Sequence, residues 1–266
     1  MPRRVAIAGL GSIGSKLARA LDEGISGFTL SVVAARDPAK AEALLSGLAN
    51  PPPIVPIAAL EGHADLVIEC APAPLLPAVI APFLRAGKAA MVMSVGALLE
   101  HEDLIDLARA QAGQIIVPSG ALLGLDAVTA AAQGTIHSVR MITRKPVRGL
   151  VGAPYLSAHN ICIDNIKEPL KIFEGSARQA AQGFPANLNV AAALSLAGIG
   201  PERTIVEIWA DPTLSRNTHR IEVDADSASF SMSIANVPTE NPRTGRITAL
   251  SAIAYLRKIY APLRIG

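Results

Sequence analysis

The sequence predicts an α/β protein: a doubly wound parallel sheet, followed by a second α+β domain whose sheet is largely antiparallel. Three observations carry this. Fully apolar strand-like runs alternate with amphipathic helical segments over the first half, the grammar of βαβ units covered on both faces. A glycine-rich G-x-G-x-x-G turn lies directly between the first such run and the first helix. Beyond about Leu125 the strand-like runs alternate apolar with polar residues, the pattern of a sheet with one covered side.

The first run, Val5-Ala6-Ile7-Ala8, ends in Gly9-Leu10-Gly11-Ser12-Ile13-Gly14, after which Ile13, Leu17, Ala18 and Leu21 recur at helical spacing. Gly9 permits a tight turn off the strand, Gly11 lets the backbone approach a phosphate, and Gly14 lets the helix pack close to the sheet. The amides near Ser12 and Ile13, at the positive end of the helix dipole, then face an anion. Strand, turn and helix in this order make a Rossmann-type site for a dinucleotide pyrophosphate. Residues 28–35 form a second strand, and Asp37-Pro38 opens a helix rich in Ala, Leu and Glu. Residues 65–71, 89–94 and 115–118 are further strands, with Leu75, Leu76, Val79, Ile80 and Leu84 giving a helix between the first two. Pro51-Pro52-Pro53 reads as a rigid loop.

In the second half, residues 139–144, 204–210, 218–224 and 229–237 are strand-like. Phe230, Met232 and Ile234 share one face while Ser229, Ser231 and Ser233 share the other, and Asp224-Ala225-Asp226-Ser227 is a hairpin turn. Residues 187–196 form a helix stopped by Gly198. A final helix carries Ala249, Ile253, Leu256 and Tyr260 on one stripe, which needs a large partner surface and is expected to return to the first domain. The expected division is a dinucleotide-binding domain over 1–124, completed by about 242–266, and a catalytic and dimerisation domain over 125–241.

A chain of 266 residues with 50% hydrophobic residues holds a substantial core and favours two lobes over one. A net charge of +2, scattered in both signs, lacks the basic stripe that nucleic acid requires. The N-terminal apolar run breaks at Gly9, too short for a signal segment or a membrane span, so a cytoplasmic protein without a membrane partner is expected. Cys70 and Cys162 are the only cysteines, which excludes a disulfide scaffold or a four-thiolate zinc site; both read as buried thiols, and no metal is expected.

Ligands of an open parallel sheet sit beyond the carboxyl ends of its strands. Glu69-Cys70-Ala71-Pro72, Ser94-Val95-Gly96-Ala97 and Ser119-Gly120-Ala121-Leu122-Leu123-Gly124 lie there. Such small-residue turns suit a flat nicotinamide-ribose or serve simply as tight corners; three together favour a groove. About twenty positions past the glycine motif, an NAD site offers an acidic residue to the ribose. Here the chain reads Ala34-Ala35-Arg36-Asp37: Arg36 faces a 2′-phosphate, Asp37 caps the next helix, and use of both NAD and NADP follows.

Of five histidines, His63 and His101 fall in polar surface turns or helix starts, His137 precedes a strand, and His159 lies beside Asn160 in an undefined stretch. His219 opens a strand after a polar loop and shares its face with Ile221 and Val223, so it is either a proton-transfer group or a structural histidine held by backbone. Asn187 is placed to cap a helix, and Asn189, one step inside, has an amide suited to a carboxamide or carboxylate. Arg144 and Lys145 end a strand, either as partners for a dicarboxylate or as an ordinary solvated strand end.

The glycine motif, Thr143-Arg144-Lys145-Pro146, Phe184-Pro185-Ala186-Asn187-Leu188-Asn189-Val190-Ala191-Ala192-Ala193, Arg216-Asn217-Thr218-His219 and Asn241-Pro242-Arg243-Thr244 together resemble the L-aspartate dehydrogenase family over nearly the whole chain. The asparagine-rich helix start and the R-N-x-H run are the specific part. The resemblance implies NAD(P)-dependent oxidation of L-aspartate to iminoaspartate, which hydrolyses to oxaloacetate and ammonia or feeds NAD biosynthesis, in a homodimer. It places the catalytic histidine on His219 and further cofactor contacts on Asn189 and Leu123, where other members often carry a smaller residue. Homoserine dehydrogenase and dihydrodipicolinate reductase relatives share the two-lobed plan, and a non-catalytic NAD(P)H sensor is the reading from another class.

Overall fold

The computed structural model describes residues 1–184, 188–238 and 245–265. In it β1 (Arg3–Ala8), β2 (Phe28–Ala34), β3 (Leu66–Glu69), β4 (Ala89–Val92) and β5 (Gln114–Ile116) pair in parallel in the order β2-β1-β3-β4-β5. Their apolar runs follow from burial on both faces, and Val5, Ile7, Leu66, Ile68 and Met91 are sealed from solvent. The connecting helices are α1 (Gly14–Asp22), α2 (Pro38–Leu45), α3 (Leu60–His63), α4 (Leu76–Arg85), α5 (Val95–Leu98) and α6 (Asp103–Ala110). α1 buries Leu17, Ala18 and Leu21, the stripe that its period predicts. The Asp37 carboxylate caps α2, accepting from the Lys40 amide at 3.1 Å, with Pro38 at the first helical position. Pro53 lies along the outer edge of β2, its carbonyl accepting from Val33 at 3.0 Å. Because β1 lies between β2 and β3, the connections diverge there and leave a crevice at the carboxyl ends of β1 and β3.

The chain divides into two units, Met1–Gly120 with the segment from Thr248 onward, and Ala121–Ile247. The second unit contains α7 (Leu125–Ala131), β6 (Ile136–Lys145), α8 (Pro154–Ala158), β7 (Leu170–Ser176), α9 (Ala177–Gly183), α10 (Asn189–Ala197), β8 (Thr204–Ala210), β9 (Asn217–Ala225) and β10 (Ser229–Asn236). Its sheet runs β10-β9-β6-β8-β7 and is antiparallel at every pairing except β6 with β8. The edge strand β7 is an addition to the sequence expectation. Its Gly175 and weak alternation gave no strand signal, and pairing with β8 supplies what propensity lacks. A capping box, Ser176 with Gln179, turns β7 directly into α9. β10 alternates as predicted, with Phe230, Met232 and Ile234 on its inner face, and the hairpin closes through an Ala225 to Ala228 bond of 3.1 Å.

α11 (Ile247–Ile259) buries Ala252 and Leu256 in the core of the first unit, and Tyr260 stacks edge-on against Phe28 with ring centroids 5.3 Å apart. Among the described residues no helix is long and apolar enough to cross a membrane. Two expectations need correction. Cys162 is exposed, because it lies in the irregular stretch before β7 rather than on a core-facing strand. His137 does not precede its strand but is the second residue of β6, on the exposed side.

Candidate active site

Gly9 continues β1 at φ +97°, a backbone region that favours glycine, and a side chain there would meet the Cys70 carbonyl at 2.5 Å. The Gly9 amide donates to Ala34 at 2.7 Å and the Cys70 amide to Ala8 at 2.8 Å, so the turn is pinned between β2 and β3 at the crevice. A Cβ on Gly14 would run into the Gly9 carbonyl oxygen, which is why α1 can sit directly on the turn. Gly11 differs: a Cβ there would meet nothing within 4 Å. The protein's own packing does not demand a glycine at that place, whereas a ligand lying against the backbone does. The Ser12, Ile13 and Gly14 amides have no acceptor among the described residues, no side chain caps α1, and its first turn holds no acid. Three donors and the positive end of a helix dipole therefore meet at one exposed turn, a fit for a pyrophosphate.

Arg36 follows β2 at the same end of the sheet, exposed and without a hydrogen bond or ion pair among the described residues. Asp37 is already engaged in capping α2. The three small-residue turns lie at the ends of β3, β4 and β5, and the first two are joined by Glu69. That carboxylate is fully buried; it accepts from the Met93 and Ser94 amides at 3.2 and 2.9 Å and from the Ser94 hydroxyl at 3.1 Å. Burial pushes its acid range up and these donors recover only part of the shift. Burial, and Glu69 beside it, likewise push the Cys70 thiol well up, which makes it a poor nucleophile. In the third turn the Gly120 amide donates to Ser251 Oγ of α11 at 3.0 Å.

In the second unit His219 pairs directly with Thr143 across β9 and β6, and its Nδ1 lies 3.1 Å from Thr143 Oγ1. Thr143 is fully buried and His219 is 3% exposed. Strand alternation puts Lys145, also buried, on this same face. Burial first, and the Lys145 charge second, push the imidazole down to about 3, so it is neutral at working pH. Arg144 is not brought to this cluster. It projects from the opposite face, bridging Asp211 at 3.4 Å with its guanidinium 4.8 Å from the centre of the Trp209 ring. Asp211 would be pushed up by burial, but its bonds from Thr213 and Arg144 outweigh this and hold it below the usual range.

Leu123 is half-buried against the core of the second unit, just after Ala121, whose carbonyl accepts from Asn236 Nδ2 at 2.9 Å. Asn189 is exposed as the first residue of α10, which packs against α7. Asn187 and Asn241-Pro242-Arg243-Thr244 lie outside the described residues. Sequence reasoning did not single out Thr143, Glu69 or Asn236 as separate side chains. A period of two puts Thr143 and Lys145 on one face, but which strand they meet depends on register.

Residues 126–259 match the family model described as aspartate dehydrogenase, C-terminal, and residues 9–118 match that of the homoserine dehydrogenase NAD binding domain. Over 263 residues the chain is 65% identical to an L-aspartate dehydrogenase of Bradyrhizobium diazoefficiens, covering 99% of this chain and 94% of that one. It is 56% identical to L-aspartate dehydrogenase 3 of Bordetella bronchiseptica, with 98% and 97% covered. The crystal structure of aspartate dehydrogenase from Thermotoga maritima is similar in fold, with a TM-score of 0.74 over 100% of both chains at 23% identity. With a turn built for a dinucleotide, a buried neutral histidine and relatives of this closeness along its length, the chain belongs to the aspartate dehydrogenase family.

Proposed function

We propose that this protein is an NAD(P)-dependent L-aspartate dehydrogenase, oxidising L-aspartate to iminoaspartate, which hydrolyses to oxaloacetate and ammonia or enters pyridine nucleotide synthesis. We place it in the cytoplasm as a homodimer. The observation that carries the reading is the sealed His219 imidazole, kept neutral beside Lys145 within the region matched by the family's C-terminal model.

The Ser12 and Ile13 amides hold the pyrophosphate on a turn that Gly9 shapes and where Gly11 leaves room for it, and Arg36 offers its fork of donors to a 2′-phosphate where one is present. Asn189 and Leu123 complete the cofactor contacts, the first by its amide and the second by backbone and shape. NAD(P), when bound, supplies the redox chemistry by accepting hydride from the substrate Cα. His219, as a neutral base, takes a proton from the water that adds to the iminium carbon, and returns it in the aminating direction. Lys145 shares its face and pairs with a substrate carboxylate. Arg144, from the far face, braces the end of β6 through Asp211.

Steady-state kinetics with L-aspartate, homoserine, and oxaloacetate plus ammonia, each against NAD and NADP, test the reading. Cofactor reduction with aspartate and cofactor oxidation with oxaloacetate plus ammonia are expected. Turnover with homoserine alone would transfer the chain to another activity, and cofactor binding without turnover would make it a sensor.

A further inference from the structure

Thr143 and His219 face one another across β6 and β9, and the 3.1 Å contact between Oγ1 and Nδ1 is the hydrogen bond that each side chain makes among the described residues. Nε2 makes none. Because Asn236 Oδ1 is the sole buried side-chain nitrogen or oxygen without a partner among the described residues, Nε2 keeps what exposure the ring retains.

A neutral imidazole carries its proton on one ring nitrogen only, so the outward Nε2 is a base when Nδ1 is protonated and a donor when it is not. A buried Nδ1 wants a partner in both forms. A carboxylate there would accept only, holding the proton on Nδ1 and favouring imidazolium. A backbone amide would donate only, holding the proton on Nε2. A hydroxyl does either by rotating about its C–O bond. Lys145, on the same face, opposes imidazolium.

We propose that Thr143 is a positioning residue for the aspartate dehydrogenase reaction, its hydroxyl fixing the His219 ring and serving Nδ1 as acceptor or donor, so that Nε2 presents either a lone pair or an N–H without the ring turning over, the two neutral tautomers exchanging their proton with solvent. This rests on His219 being the acid–base group. The base form takes the water proton in the deaminating direction and, as imidazolium, returns it in the aminating one, while the N–H form hydrogen-bonds the substrate carbonyl.

The test uses the full chain with Thr143→Val, Thr143→Ser, His219→Ala and the Thr143→Val/His219→Ala double variant. Thr143→Val is expected to lower kcat at least tenfold in both directions while leaving KM for NAD(P) unchanged, with a lower Tm because Nδ1 loses its partner, and Thr143→Ser to restore most of the rate. In the His219→Ala background Thr143→Val should cost nothing further, because its effect passes through the ring. ¹⁵N spectra of histidine-labelled enzyme should show His219 nitrogens averaged between tautomers in the wild type and a single tautomer in Thr143→Val. An unchanged kcat in Thr143→Val, a serine enzyme as slow as the valine one, or an equal loss in the His219→Ala background overturns the proposal. Should the valine enzyme not fold, the wild-type spectrum decides, since a ring held in one tautomer overturns it. A His219→Ala enzyme with near-normal turnover removes the acid–base reading instead, and the spectrum still tests the Thr143 contact.

Discussion

At the scale of single residues, the acid–base role proposed for His219 and its sealed environment give two measurable statements. Its removal as His219→Ala should cost about 10² to 10⁴ in turnover with cofactor affinity preserved, read by steady-state rates and fluorescence titration of the reduced cofactor. The second statement concerns stability. The unfolded imidazole titrates near 6.5 and the folded one at about 3, so between these values the unfolded chain binds the extra proton. The contribution is whole above pH 6.5 and is lost as pH falls towards 3, up to roughly 5 kcal/mol. Denaturant melts of His219→Gln across that window should therefore show a flatter acid limb than the wild type. Arg36 gives a separate prediction: Arg36→Ala should weaken NADPH by about tenfold or more and leave NADH unchanged, since only the former carries the 2′-phosphate that a guanidinium fork grips. Equal loss for both cofactors would discard that role.

At the scale of elements, the glycine turn separates packing from binding. Gly11→Ala adds a methyl group that no protein atom opposes, so it should melt like the wild type and lose most of its cofactor affinity. Gly14→Ala drives a methyl group into the Gly9 carbonyl and should lower Tm as well, because α1 must lift off the sheet. Glu69 links the next two turns. Glu69→Ala strands three donors in a sealed place and should cost about 3 kcal/mol or more in chemical denaturation, whereas Glu69→Gln can still accept from both amides and donate to Ser94, and should cost under about 1 kcal/mol. Much of this level was readable beforehand: the Asp37 cap, the α1 stripe and the β10 alternation are local patterns. The strand β7 was not, since it exists through its neighbour β8, and the Thr143 contact was not, since register across β6 and β9 follows from the packing of a whole face.

At the scale of the whole molecule, the first unit is closed by a helix from the far end of the chain. Leu256, fully buried there, should cost about 2 to 5 kcal/mol as Leu256→Ala, measured by denaturant unfolding, because the cavity would open between α11 and the parallel sheet. Binding of reduced cofactor should weaken in parallel with stability. A Leu256→Ala enzyme as stable as the wild type would mean that α11 contributes nothing to that core.

The sequence by itself determined the parallel sheet, the largely antiparallel one, the glycine turn between β1 and α1 and His219 on a covered face, because each rests on short-range periodicity and on glycine at positions only a few residues apart. Tertiary structure alone decided which side chains share a site. Thr143 and Lys145 meet His219 because two strands some seventy residues apart pair in one register, and Arg144 is turned away by the same alternation. No local pattern encodes such a meeting. It follows from burying one face of the sheet and then satisfying the polar groups sealed inside it.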